Sequence, residues 1–252
     1  MNKVIKTGVV AAISALIIPA FAQDVEPVAE TPVEETAVVE ETAAVEEGAV
    51  GWTPFAISLA SPVQLPWGQG NWDVYGIDLG IFYNDINELG GAQFSLANTT
   101  RADMYGFAAG GAFNYATKNV YGVRAALGGN ICMGEFYGAD FGGFGFKQNI
   151  WGLDAGFVGT WNQNVCGSLI ALLVNFTEKE SCGCTFAGGV NISKVAYGAQ
   201  VAGIFNQTEE LHGAQIGLVN FAREVPWGFQ VGLVNIIMDN QVKVLPFVNG
   251  YF

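Results

Sequence analysis

Charge is what this chain has least of. Only 13% of its 252 residues are Asp, Glu, Lys or Arg, against roughly a quarter in ordinary globular proteins. Bases are the scarcer sign, 10 against 23 acids, for a net charge of −13. That balance excludes the basic footprint of a nucleic-acid binder. Histidine occurs once, as His212. No Gly-x-Gly-x-x-Gly precedes a helix, so nucleotide binding is unsupported. No catalytic constellation is present, and the sequence assigns no catalytic, cofactor-binding or metal residue.

Apolar residues and glycine are abundant: 51% of the chain is hydrophobic and 34 residues are Gly. The charge is unevenly placed. Lys3 and Lys6 precede an apolar run, Val9 to Ile18, then Pro19 and Ala20-Phe21-Ala22. This basic, apolar, small-x-small order predicts a secretory leader over residues 1–22, cleaved after Ala22. The run is shorter than the roughly 17–25 residues a spanning helix needs. Residues 23–50 hold nine acids and no base. Three Val-Glu-Glu hexads, with Pro27 and Pro32, read as an extended, solvated acidic linker. Residues 51–252 hold 14 acids and 8 bases, and are expected to form a β-repeat domain.

One phrase recurs through that domain. Tyr75-Gly76-Ile77-Asp78-Leu79-Gly80 matches His212-Gly213-Ala214-Gln215-Ile216-Gly217 and Trp227-Gly228-Phe229-Gln230-Val231-Gly232. Anchor glycines fall at 76, 91, 106, 122, 138, 152, 167, 183, 198, 213 and 228, separated by 14–16 residues. Such steady spacing marks internal repetition. An asparagine closes most units (Asn84, Asn98, Asn114, Asn130, Asn175, Asn191, Asn206, Asn220, Asn235), and the units of Gly138 and Gly152 lack it. Alternation places Ile77, Leu79, Ile81 and Tyr83 on one face and Gly76, Asp78, Gly80 and Phe82 on the other, which predicts strands. Glycine recurring inside a strand signals a need for room beside the backbone.

Two architectures satisfy these observations. The first is an up-and-down antiparallel β-barrel of about 12 strands, since ten tilted residues match the 9–11 that cross a bilayer. Its apolar face would meet outer-membrane lipid. Asp78, Gln93, Arg124, Asp140, Asp154, Thr185, Gln200, Gln215 and Gln230 would line the interior, that of a small pore. The residues before the anchors (Tyr75, Tyr105, Tyr121, Tyr137, Trp151, Tyr197, Trp227) would form two girdles, one per interface. The second is a β-solenoid with about 15 residues per coil, the apolar face inward and the Gly-Gln-Gly face exposed, with asparagines stacked at the corners. The barrel reading separates Cys166 from Cys182 by on the order of 25 Å and predicts no bridge. The solenoid places them one coil apart, about 4.8 Å. Cys132 and Cys184 have no partner by spacing. His212 reads as an amphipathic interface residue, and Asp140 and Asp154 as residues of a wet lumen or solvated face.

The phrases Gly-Ala-Gln-Ile-Gly-Leu-Val-Asn (213–220) and Gly-Phe-Gln-Val-Gly-Leu-Val-Asn (228–235) resemble a bacterial surface-repeat family built on tandem Gly-x-Gln-x-Gly-Leu-x-Asn units. The opening Ser61-Pro62-Val63-Gln64-Leu65-Pro66 and the close Leu245-Pro246-Phe247-Val248-Asn249 look like that family's ends. The resemblance covers about residues 54–252 and weakens between Gly122 and Gly183. It implies an exported protein of the outer membrane or cell surface and no activity. The expectation is a structural envelope protein, with a secreted solenoid adhesin or interaction module as the second reading.

Overall fold

In the computed structural model the described residues are 49–67 and 71–251. The leader assigned to residues 1–22 and the linker residues 23–48 lie outside them. The strands are β1 (Gly51–Ala60), β2 (Val63–Leu65), β3 (Trp72–Ile86), β4 (Leu89–Thr100), β5 (Met104–Ala116), β6 (Val120–Ala171), β7 (Val174–Ala187), β8 (Val190–Ala202), β9 (Phe205–Ile216), β10 (Val219–Ile237) and β11 (Val244–Gly250). They form one sheet in the order β11-β10-β9-β8-β7-β6-β5-β4-β3-β1-β2. From β1 and β3 through to β10 every paired neighbour is parallel. This overturns the barrel, whose hairpin-joined strands would be antiparallel. The chain is a parallel β-solenoid in which each repeat is one coil.

The repeats stack on like residues. Gly91 lies over Gly106 and Asn98 over Asn114, Cys166 over Cys182, and Gln200 over Gln215. About eleven coils at roughly 4.8 Å each give a rod of about 50 Å. A coil has two limbs. The first runs from two residues before the anchor glycine to four after it. The chain then bends and returns through the asparagine, and a polar turn leads into the next coil. The bend was not legible from alternation, which put Phe82 on the inward face. Phe82 sits at the bend and is exposed.

The anchor glycines form a continuous column. All eleven have positive φ, between 121° and 156°, a region that L side chains rarely adopt. A Cβ on each from Gly91 onward would overlap the carbonyl oxygen of the anchor one coil before. The stack therefore needs glycine here twice over, for conformation and for close approach.

Both ends of the parallel stack are closed by antiparallel strands, β2 on β1 and β11 on β10. These two strands carry the opening and closing phrases at residues 61–66 and 245–249. An exposed strand edge invites pairing with other chains; the caps cover the edges of β1 and β10 and leave β2 and β11 as the outer strands.

Polarity inside the rod changes along each limb. Nearest the polar turn the interior is apolar: Val74, Leu89, Met104, Val120, Ile150 and Leu211 are all buried. Nearest the bend it is asparagine against Gly, Ala or Ser. A Cβ on Gly110 would lie 2.8 Å from Asn114 Oδ1, so small residues there leave space for the amide. The solenoid expectation of an inward apolar face is therefore corrected. Gln93, Gln215 and Gln230 are fully buried, whereas Ile77 and Leu79 are exposed.

Candidate functional site

The asparagines do structural chemistry at the bend. Asn98 Nδ2 donates to Asn114 Oδ1 at 2.8 Å, and Asn114 to Asn130 at 2.8 Å. A second run links Asn175, Asn191, Asn206, Asn220 and Asn235 at 2.8–3.0 Å. The same amides donate to main-chain carbonyls before the next bend, as Asn206 does to Ile216 and Asn220 to Val231. A buried, unpaired carbonyl costs roughly 1–3 kcal/mol, so each asparagine satisfies a group that the bend would orphan. Glutamines form a shorter ladder, Gln230 to Gln215 and Gln215 to Gln200, each 2.8 Å. The residues assigned to a lumen therefore line none. Asp78, Gln93, Asp140, Asp154, Gln200, Gln215 and Gln230 are all within 2% of full burial. Burial pushes the Asp78 carboxyl up to about 6, against an opposing hydrogen bond from Gln93.

The two coils that lack asparagine, together with Arg124 of the coil before them, hold a buried charge quartet. Gly145 takes the asparagine position, and Lys147 and Asp154 fill the space: a Cβ on Gly145 would lie 2.7 Å from Asp154 Oδ2 and 2.9 Å from Lys147 Nζ. Lys147 Nζ lies 2.6 Å from Asp140 Oδ2 and 2.8 Å from Asp154 Oδ1. Arg124 Nη2 donates to the same Asp140 oxygen at 3.0 Å. Both cations lie over the Phe136 ring, at 5.2 and 5.4 Å. Burial raises the Asp154 carboxyl, the Lys147 ammonium pulls it down, and the Asp140 charge adds to the rise. Asp140 and Asp154 therefore face neither lumen nor solvent, contrary to expectation. With two cations and two carboxylates sealed from water, the quartet is an internal brace and offers no access for a substrate.

The exterior is divided into two edges. The bend edge is apolar along its length: Leu127 is 85% exposed, Phe157 72% and Leu233 60%, beside Ile81, Leu172 and Ile204. The opposite edge carries the charge, with Glu88, Arg101, Lys118 and Glu135 on four successive turns and Lys194 and Glu224 on turns farther along. Arg101 there pairs with Asp85 at 2.6 Å.

Aromatic columns run between the edges. The residues before the anchors share one face instead of forming two girdles, because parallel coils start every limb at the same end. Tyr105, Tyr121, Tyr137 and Trp151 stack at 5.0, 5.1 and 6.2 Å with planes within 7° of parallel. Farther along, His212 stacks on Tyr197 at 4.6 Å and lies 2.6 Å from Glu210. Their polar tips reach the charged edge. Tyr75 Oη donates to Glu88 at 2.8 Å and Trp151 Nε1 to Glu135 at 3.3 Å. On the other face Trp161 Nε1 donates to Glu178 at 3.0 Å and tilts against Phe176.

Cys166 and Cys182 interrupt the aromatic column as register partners, which corrects the wide separation inferred from a barrel. All four cysteines are free thiols. A hydrogen bond with Cys182 raises the Cys166 thiol. Cys132 belongs to the apolar interior, where burial raises its thiol. Among the described residues no three His, Cys, Asp or Glu side chains converge on a point that a metal ion could occupy.

Fold and surface together define a parallel β-solenoid with an amide-laddered interior and an apolar edge. No family model, curated protein or solved structure matches the chain.

Proposed function

We propose that this chain is an exported, non-catalytic β-solenoid of the cell envelope that acts as an attachment module. One observation carries the reading: a continuous apolar edge, from Ile81 to Leu233, on a rod whose buried asparagines and glutamines hydrogen-bond to one another. Isolated apolar residues are normal on surfaces, but a contiguous stripe over about 50 Å exceeds what soluble monomers expose. The leader-like residues 1–22 and the resemblance at residues 213–235 support export to the cell surface.

The test is fractionation of cells that export the full chain. Wild-type protein is expected in the envelope fraction. The Leu127→Asp/Phe157→Asp variant is expected to be released into the soluble exported fraction with an unchanged far-UV CD spectrum. Wild-type protein found free and monomeric outside the envelope would overturn the reading.

A further inference from the structure

Resting on that reading, we propose that the apolar edge is immersed in one leaflet of a lipid bilayer. The rod lies along the membrane surface and its charged edge stays in water.

The polarity reversal inside the rod is the first argument. Under the charged edge the interior is apolar, with Val74, Leu89 and Met104, as in any water-soluble fold. Under the apolar edge the interior is amide, with Asn98 bonded to Asn114, and Asn206 to Asn220 and to the Ile216 carbonyl. Half of each coil is thus ordered for water and half for hydrocarbon. A protein sits in hydrocarbon only if its backbone groups are satisfied internally. At the bends they are: Leu173 N–H donates to Val158, Ile204 to Gly189, Val219 to Ile204 and Val234 to Leu218. At the two ends the antiparallel caps β2 and β11 pair with β1 and β10 and form the outer strands of the sheet.

The aromatic columns are the second argument. Tyr and Trp favour the headgroup level, apolar body inward and polar tip in water. Tyr75, Trp151 and Trp161 have that orientation, with their tips on Glu88, Glu135 and Glu178 of the charged edge. Six residues separate the aromatic column from the bend, as from Trp151 to Phe157. At about 3.3 Å per residue this is roughly 20 Å. A leaflet with its headgroups is about 20–22 Å deep. A bend edge at the bilayer midplane therefore sets the rings at the headgroups.

Lipid fits better than a protein groove. The apolar surface covers both faces as well as the bend, with Ile77, Phe94 and Phe229 on one side and Phe113, Phe176 and Phe205 on the other. A protein groove would have to enclose the edge on three sides for its whole length, whereas a fluid phase does so unaided. With Asp78, Asp85, Asp140, Asp154, Arg124 and Lys147 buried, residues 51–252 keep ten outward acids and six bases. Acidic excess gives no attraction to anionic headgroups, so insertion is driven by apolar burial and needs no anionic lipid.

The probe is vesicles of phosphatidylcholine alone, floated with the full exported chain. Wild-type protein is expected to float with the vesicles. Leu127→Asp/Phe157→Asp is expected to lose at least tenfold in partition with an unchanged CD spectrum. A Phe157→Trp variant keeps the apolar edge and adds a reporter at the bend. Its added fluorescence is expected to be quenched most by lipids brominated near the chain ends, and that of the native tryptophans by lipids brominated near the headgroup. Two outcomes overturn the lipid proposal. If wild-type protein stays unbound but self-associates through a contact that Leu127→Asp/Phe157→Asp abolishes, the attachment reading stands and lipid is the wrong partner. If Phe157→Trp is quenched only by shallow bromines, the rod lies on the leaflet without entering it.

Discussion

Lys147→Met removes one ammonium from the sealed quartet and keeps most of the side-chain stem. Arg124 and Asp140 still pair, but Asp154 is left with only the Asn162 amide, 3.4 Å away, a distance at which a hydrogen bond is weak. Breaking a buried ion pair by removing one partner costs about 3–5 kcal/mol. Asp154 can relieve part of this by taking up a proton, because burial already raises its carboxyl. The sign follows from linkage. An acid whose folded pKa lies above its unfolded value of about 3.9 favours the fold most at low pH, and that contribution is lost as pH rises through the folded pKa. The deficit of Lys147→Met relative to wild type is therefore largest at pH 8 and shrinks at pH 5. The triple variant Gly145→Asn/Lys147→Thr/Asp154→Gln restores the repeat pattern and removes one charge of each sign. The quartet leaves Arg124 Nε, Asp140 Oδ1 and Asn162 Oδ1 without partners, and incompletely satisfied networks contribute little net stability. The triple variant is expected within about 1 kcal/mol of wild type, or above it. Guanidinium unfolding followed by far-UV CD at both pH values reads all three proteins. A Lys147→Met deficit below about 1 kcal/mol at pH 8, or one equal at the two pH values, would refute the reasoning.

Two further outcomes follow from the stacking. Gly198 has φ 121° and a Cβ there would overlap the Gly183 carbonyl, so Gly198→Ala should cost about 3 kcal/mol or more. Gly111→Ala meets the movable Leu96 Cδ1 methyl at 2.9 Å and the Leu96 main chain no nearer than 3.4 Å, and should cost under about 1 kcal/mol; thermal melts of equal midpoint for the two variants would contradict the glycine-column account. Register partners about 4.8 Å apart fall inside the 4.4–6.8 Å Cα window for a disulfide. Diamide treatment of a Cys184→Ser protein should therefore yield a linked Cys166–Cys182 peptide in a non-reducing digest. Recovery of both thiols fully alkylated would place them out of register.

Much of the site was legible before the fold. The division into two faces was read correctly by alternation from Asp78 through Gln230, because a period of two assigns faces whatever the strands pair with; which face turns inward was not, since the barrel gave these residues a lumen and the solenoid gave them the surface. The need for room beside the anchor glycines was likewise visible in their spacing. The bend was not visible, because Ile81 and Phe82 continue the apolar pattern and carry no turn residue. The Lys147–Asp154 pair was missed for a different reason. Gly145 looks like simple degeneracy in the sequence, and the two charges fill its space only once coils lie in register. The single available signal was the coincidence of a missing asparagine with a nearby Lys and Asp.

By itself the sequence determined the repeat length, the strand state and the division of residues into two faces. These are local properties, fixed by glycine spacing and by alternation. Tertiary structure alone decided whether successive units run antiparallel around a barrel or parallel up a rod, since a 15-residue unit with one apolar face suits both. The deciding physics is non-local. Ten of the eleven positive-φ glycines, from Gly91 to Gly228, must each meet the carbonyl of the anchor before, and the asparagine amides of two runs must reach the next asparagine and the next bend. Only parallel, in-register coils bring those groups together. The scarcity of charge then has a place as well as a value: the outward charges gather at one edge of the rod, and the other edge is apolar.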